Sequence, residues 1–126
     1  MATILIVEDD PQVQHLLQES LELEGYSVIA AENGIKALEQ LATRVVDIMI
    51  TDILMPEKEG LGLITELRKT RPDLPIIAIS GGSPTISPGC NLELARMFGA
   101  WHVFQKPLDM EVLLTTIKDI LQHEAE

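Results

Sequence analysis

Five side chains able to do polar chemistry stand at or just beyond the ends of apolar runs. Glu8 and Asp9 follow Ile4-Leu5-Ile6-Val7, Asp52 follows Ile48-Met49-Ile50-Thr51, and Ser80 follows Ile76-Ile77-Ala78-Ile79. Lys106 comes two residues after Trp101–Phe104 and precedes Pro107. If these runs are parallel strands of one sheet, three carboxylates, a hydroxyl and an ammonium share one edge. Carboxylates that close repel one another in a partly desolvated site, so one takes a proton or a cation sits among them. Oxygen donors with no His or soft sulfur nearby suit a hard ion, and Mg²⁺ is the expected one. Mg²⁺ takes one or two protein carboxylates together with waters or substrate phosphate, so the pocket suits phosphate oxygens as well. An aspartate there can attack a phosphoryl group and form an aspartyl phosphate. That transfer needs alignment and neutralised charge more than covalent help. Lys106 can pair with one phosphate oxygen, and the Ser80 hydroxyl can donate to another.

The elements that must position these groups alternate in type. Thr3–Val7 reads as a strand buried on both faces, because it is continuous, apolar and rich in branched residues. Asp10-Pro11 is an N-cap followed by proline at the first helical position. Val13, Leu16, Leu17 and Leu21 then recur at helical spacing up to Gly25. Tyr26–Ala30 is a second expected strand, and Asn33-Gly34 opens a helix to about Ala42 with Ile35, Leu38 and Leu41 inward. Val45–Thr51 is a third strand; a helix from Glu59 to Thr70 places Leu63, Ile64 and Leu67 inward. Ile76–Ile79 is a fourth strand, Ser80–Cys90 a Gly- and Pro-rich loop, and Asn91–Phe98 a short helix. Trp101–Phe104 is the fifth strand, and Asp109 caps a last helix carrying Leu113, Ile117, Ile120 and Leu121. Five strands alternating with five helices predict a parallel sheet covered on both faces. In open sheets of this kind, chemistry gathers beyond the carboxyl ends of the strands, where strand order reverses.

Composition narrows the functional classes. At 126 residues and 46% hydrophobic, the chain suits one domain over residues 1–126. Aromatics are 3%, so the core must be aliphatic. A formal charge of −11 disfavours nucleic-acid binding and suits a basic protein or a bound cation. One cysteine, Cys90, excludes an intrachain disulfide and fits a reducing compartment. The first apolar run is too short for a signal peptide, and no run approaches a membrane span, so a cytoplasmic location is expected. His15, His102 and His123 share no ligand spacing and are expected on the surface. Gly81-Gly82-Ser83 lacks the lysine pattern of a phosphate-binding loop and reads as a hinge.

The segments Ile4–Asp10, Asp47–Pro56, Gly60, Pro75–Ser80 and Lys106-Pro107, in this order, resemble the response-regulator receiver family of two-component signalling. The resemblance covers nearly the whole chain. It implies a flavodoxin-like, doubly wound α/β fold, with a five-stranded parallel sheet of order 2-1-3-4-5; a receiver is itself a standard illustration of that fold's switch point. It implies that Asp52 is the phosphoacceptor, and that Glu8, Asp9, Asp52 and the backbone carbonyl of Leu54 bind Mg²⁺. Ser80 and Lys106 would hold phosphate and switch, supported by Gly81 and Pro107, whose peptide bond the resemblance suggests is cis. The implied donor is a phosphohistidine on a sensor histidine kinase or a histidine phosphotransfer protein. No output domain is expected, so the readout would be another protein. Such a chain is a phosphoacceptor rather than an enzyme in the ordinary sense.

Three features depart from the family pattern. Val103 stands where receivers usually carry Tyr or Phe, three residues before the lysine, so the usual aromatic swing is unavailable there. The Ser80–Cys90 loop is longer and richer in Gly and Pro than usual. Leu54 and Gly82 occupy positions that often tune dephosphorylation, and neither can orient a water, so the phosphorylated form is expected to hydrolyse slowly. Competing readings are an interaction module that takes no phosphate, and a phosphoaspartate hydrolase. The second is disfavoured because Leu54 stands where such hydrolases place a second acid. A flavin-binding protein is weaker still, lacking a hydroxyl-rich loop after the first strand.

Overall fold

A computed structural model of the chain describes residues 2–52, 59–80, 99–106 and 108–125, with side chains described outside 59–61 and 123–125. Strand β1 (Thr3–Val7) leads into helix α1 (Pro11–Leu23), then β2 (Ser27–Ala31), α2 (Gly34–Thr43) and β3 (Ile48–Asp52). Helix α3 (Glu59–Thr70), β4 (Ile76–Ser80), β5 (His102–Gln105) and α4 (Met110–Ala125) complete the described elements. All strand pairings are parallel, in the order β2-β1-β3-β4-β5. The expected fold class and strand order are therefore found. The helix expected over 91–98 lies outside the described residues, as do most of the Ser80–Cys90 loop and Cys90.

Alternation along the strands divides the core into two layers. Ile4, Ile6, Ile48, Ile50, Ile77 and Ile79 pack with Leu17 and Leu21 of α1 and Leu113, Ile117 and Ile120 of α4. Leu5, Val7, Met49, Ile76 and Ala78 pack on the other face with Ala37 and Leu41 of α2 and Leu63, Ile64 and Leu67 of α3. Each fully buried Leu or Ile contributes about 1.5–3 kcal/mol relative to exposure. A sheet buried on both faces explains why the strands are continuous apolar runs rather than alternating ones.

Helix starts follow the expected capping chemistry. The Asp10 side chain accepts from the Gln12 amide at 2.9 Å with Pro11 beginning α1. The Asn33 side chain accepts from the Lys36 amide at 2.9 Å at the start of α2. The Asp109 side chain accepts from the Glu111 and Val112 amides at the start of α4. These contacts satisfy amides that the first turn of a helix cannot pair internally.

Several expected details shift. Ile35 faces outward, 64% exposed, where an inward position was expected, and Leu16, part of the helical repeat of α1, is 49% exposed. The inner side of α2 is Gly34, Ala37 and Leu41, with Leu38 partly buried against the same layer. Strand β3 begins at Ile48 rather than Val45, which is 83% exposed. The reason lies in Asp47. Its carboxylate accepts from the Thr3 amide at 2.7 Å and its own amide donates to the Thr3 carbonyl, closing the ladder's start with a side chain. Strands β2 and β5 each sit one residue later than expected.

Candidate functional site

Parallel register delivers the polar groups to one edge. Val7, the last residue of β1, pairs with Thr51 on one side and Ala31 on the other, so Glu8, just past β1, lies beside Asp52 at the end of β3. The Glu8 backbone is held twice: its amide donates to the Ala31 carbonyl, and its carbonyl accepts from the Gln14 side chain at 3.1 Å. Asp52 pairs with Ile79, the residue before Ser80. The Lys106 amide donates to the Ser80 carbonyl at 2.8 Å, which carries the β4–β5 ladder one step past β5 and brings the lysine to the same edge.

The side chains then converge. Ligand oxygens of Glu8, Asp9 and Asp52 lie within 4.8 Å of one another. Lys106 Nζ donates to Glu8 Oε1 at 2.8 Å and to Asp52 Oδ2 at 3.0 Å. Glu8, Asp52 and Ser80 are buried, Lys106 is partly buried and Asp9 is exposed. The pocket is thus open on the Asp9 side and closed beneath Glu8. Burial, followed by the adjacent Asp52 carboxylate, pushes the Glu8 carboxyl up to about 8, against the opposing pull of Lys106. Burial works against the Lys106 ammonium, but its bonds to Glu8 and Asp52 outweigh that and hold it above the ordinary lysine range.

The arrangement has the donor set for a hard divalent ion. Among the described residues, three carboxylates converge without a histidine or thiol, and Glu8 Oε2 is buried with no hydrogen-bond partner. A buried oxygen left without a partner is costly, and a cation at this edge would satisfy it. One lysine cannot balance three acids, so the residues present fit the metal. The same ammonium that now bridges Glu8 and Asp52 lies where it can meet a phosphoryl oxygen on Asp52. The direct Lys106–Glu8 contact was not anticipated from the sequence, although opposite charges assigned to one edge were its signal. Neither was the role of Gln14 in holding Glu8. Leu54, Gly81 and Pro107, also expected at this site, lie outside the described residues.

Val103 is half-buried beside its register partner Ala78 and packs on the α2–α3 layer, whereas Phe104 packs on the α1–α4 layer. Phe104 therefore points to the wrong face to take over the aromatic position. Trp101 precedes β5 and is 45% exposed. His15 and His102 are exposed, as expected; the side chain of His123 is outside the described set. No described helix is long and apolar enough to cross a membrane.

Residues 4–118 match the model of the response regulator receiver domain. Over 98% of its length the chain is 35% identical to the transcriptional regulatory protein GlrR of Escherichia coli strain K12, and covers 27% of that protein. It is 34% identical over 94% of its length to the response regulator MprA of Mycobacterium avium, covering 50% of that protein. The chain thus spans half or less of these curated relatives. Among solved structures, it matches response regulator protein TrrA of Thermotoga maritima in complex with Mg(2+)-BeF. The TM-score is 0.82 at 32% identity, over 95% of this chain and 99% of that one. The receiver domain of the TMAO respiratory system response regulator TorR matches with a TM-score of 0.86 at 31% identity, over 98% of each chain. A carboxylate-lined edge on a 2-1-3-4-5 parallel sheet and a family match over most of the length converge on one assignment: the chain belongs to the response regulator receiver domain family of two-component systems.

Proposed function

We infer that this chain accepts a phosphoryl group on Asp52 from a phosphohistidine donor and passes the resulting change to a protein partner. The carrying observation is the contact of Lys106 Nζ with both Asp52 and Glu8, beside Asp9. Asp52 is buried at the end of a central strand, so its carboxylate is held rather than free to wander. Its oxygen attacks phosphorus while the bond to the donor nitrogen breaks, and the imidazole keeps the electron pair and gains a proton. Lys106 exchanges its carboxylate contacts for phosphoryl oxygens, and the buried Ser80 hydroxyl donates to another. Glu8, Asp9 and Asp52, with the Leu54 carbonyl, would hold Mg²⁺. When bound, the ion neutralises the acids and the incoming phosphoryl oxygens. The similarity to TrrA, solved with Mg(2+)-BeF, supports this reading.

Residues 1–126 act as one receiver unit, and the donor is a sensor histidine kinase or a histidine phosphotransfer protein. Phosphorylation adds about −1.5 to −2 charges beside Ser80 and Lys106, which biases the chain towards a second arrangement. An interaction module that takes no phosphate is the second reading, favoured by Val103 in place of the usual aromatic. A small phosphodonor with Mg²⁺ separates the two. Intact mass should show one added phosphoryl group on the wild type and none on Asp52→Asn; an unmodified wild type would leave the second reading standing.

A further inference from the structure

Asp9 is the exposed member of the three converging acids, so packing does not set where its carboxylate stands. The backbone on either side of it does, and both sides are tied to one residue. The Gln14 side chain donates through Nε2 to the Glu8 carbonyl at 3.1 Å, and the Gln14 amide donates to the Asp10 carbonyl at 2.9 Å. Asp9 lies between those two carbonyls. A peptide unit is planar, so fixing the Glu8 oxygen also fixes the Asp9 nitrogen in the same plane. On the strand side, the Glu8 amide donates to the Ala31 carbonyl at 3.0 Å. On the helix side, the Asp10 carboxylate caps α1 by accepting from the Gln12 amide. Gln14 stands early in α1, a helix anchored in the core through the fully buried Leu17 and Leu21. The short connection from β1 to α1 is thus drawn against a fixed support.

We propose that Gln14 is a positioning residue for the metal site: by holding the carbonyls on both sides of Asp9, it presets the acidic pair Glu8-Asp9 for Mg²⁺. This rests on the reading of Glu8, Asp9 and Asp52 as the residues that hold the ion. Mg²⁺ demands near-ideal octahedral geometry, so its affinity responds to small displacements of a ligand oxygen. Groups that orient ligands from behind control metal affinity in this way, by about 10–100-fold on removal. Glutamine suits the task. Its side-chain amide donates without carrying a charge, so it fixes the backbone and leaves the balance between the three acids and Lys106 untouched. Its bond is to the Glu8 backbone rather than to a reacting atom, so it acts on where the ion sits and not on the transfer itself.

Calorimetric titration of MgCl₂ into the metal-free whole chain tests this. The wild type is compared with Gln14→Met, Gln14→Ala and Gln18→Met. Methionine has a helix preference close to that of glutamine but no donor, and alanine favours the helix still more, so α1 is kept in both Gln14 variants. Gln18 lies further along the same helix and controls for the substitution itself. The Kd for Mg²⁺ should rise about tenfold or more in both Gln14 variants and stay unchanged in Gln18→Met. Circular dichroism of the metal-free forms should match the wild type. Labelling by acetyl phosphate should be slower in Gln14→Met at limiting MgCl₂ and recover at saturating MgCl₂, because Asp52, Ser80 and Lys106 are intact. A bond that served stability alone would lower the melting temperature and leave the Kd where it was, and that result would overturn the proposal. So would an equal loss of affinity in Gln18→Met, or a labelling rate that stays low once MgCl₂ saturates. A wild type that takes up no Mg²⁺ would instead overturn the metal site, and this role of Gln14 with it.

Discussion

Lys106 pairs with Glu8 and Asp52 while Asp9 stands exposed beside them, and that imbalance sets what each residue does when no metal is bound. Asp9 is the exposed member, so Asp9→Asn removes a negative charge without opening the core. The metal-free variant is expected to melt about 4 °C above the wild type, the shift for about 1 kcal/mol in a chain of this size. Its affinity for Mg²⁺ should fall by calorimetric titration. A lower melting temperature with undiminished Mg²⁺ binding would contradict the shared site. The Glu8 carboxyl makes a second prediction. Its folded value of about 8 lies above the ordinary 4.5. Between those pH values the folded chain keeps a proton that the unfolded chain has lost, so this group's contribution is full below 4.5 and disappears as pH rises through about 8. Lys106, also raised, loses its contribution only at more alkaline pH than an ordinary lysine titrates, outside that window. Urea midpoints of the metal-free protein, measured as the difference between wild type and Glu8→Gln, should decline across the window. A flat difference would show that Glu8 is ionised throughout.

At the scale of elements, two glycines hold positive φ in different surroundings. Gly25 closes the α1 end with φ +94° and has nothing near where a Cβ would stand. Gly25→Ala should cost about 1 kcal/mol, the backbone penalty alone. Gly99 has φ +119°, and a Cβ there would collide with the Arg68 side chain. Arg68 cannot easily yield, because its guanidinium donates to the carbonyls of Pro72 and Leu74 in the turn that feeds β4. Gly99→Ala should therefore cost at least twice as much, read as a larger fall in the denaturation midpoint at unchanged slope. Equal losses would mean that Arg68 is mobile. Apolar periodicity announced α1, α2 and α3, and Asp10, Asn33 and Asp109 announced the starts of α1, α2 and α4. Periodicity misassigned Ile35, because an isoleucine at a helical interval reads the same whether or not another layer covers it. Asp47 was likewise illegible as the closure of β3, since its partner, the Thr3 amide, is remote in sequence.

Across the whole molecule, a formal charge of −11 opposes compaction, and screening of any kind should help. A divalent ion bound at the pocket should help more than screening alone. Millimolar MgCl₂ is expected to raise the melting temperature further than NaCl of matched ionic strength, because binding to the folded state adds to stability by mass action. The excess should vanish in Asp52→Asn/Asp9→Asn. An equal response to both salts in the wild type would mean that the pocket holds no ion.

Residue types and their order settled much in advance. Continuous branched runs separated by amphipathic stretches admit few architectures other than a parallel sheet clothed on both sides, and acids placed just after those runs must then fall at one edge. Strand order and register belong to the tertiary structure, and so does the grip of Lys106 on two carboxylates drawn from β1 and β3. No local pattern encodes a bond between residues 106 and 8, because parallel pairing joins segments through crossovers and the contact exists only once the sheet has closed around it. The convergence of Glu8, Asp9 and Asp52 is legible only in space for the same reason: Asp52 is remote from the other two along the chain, and it is the common direction of the strands that gathers them.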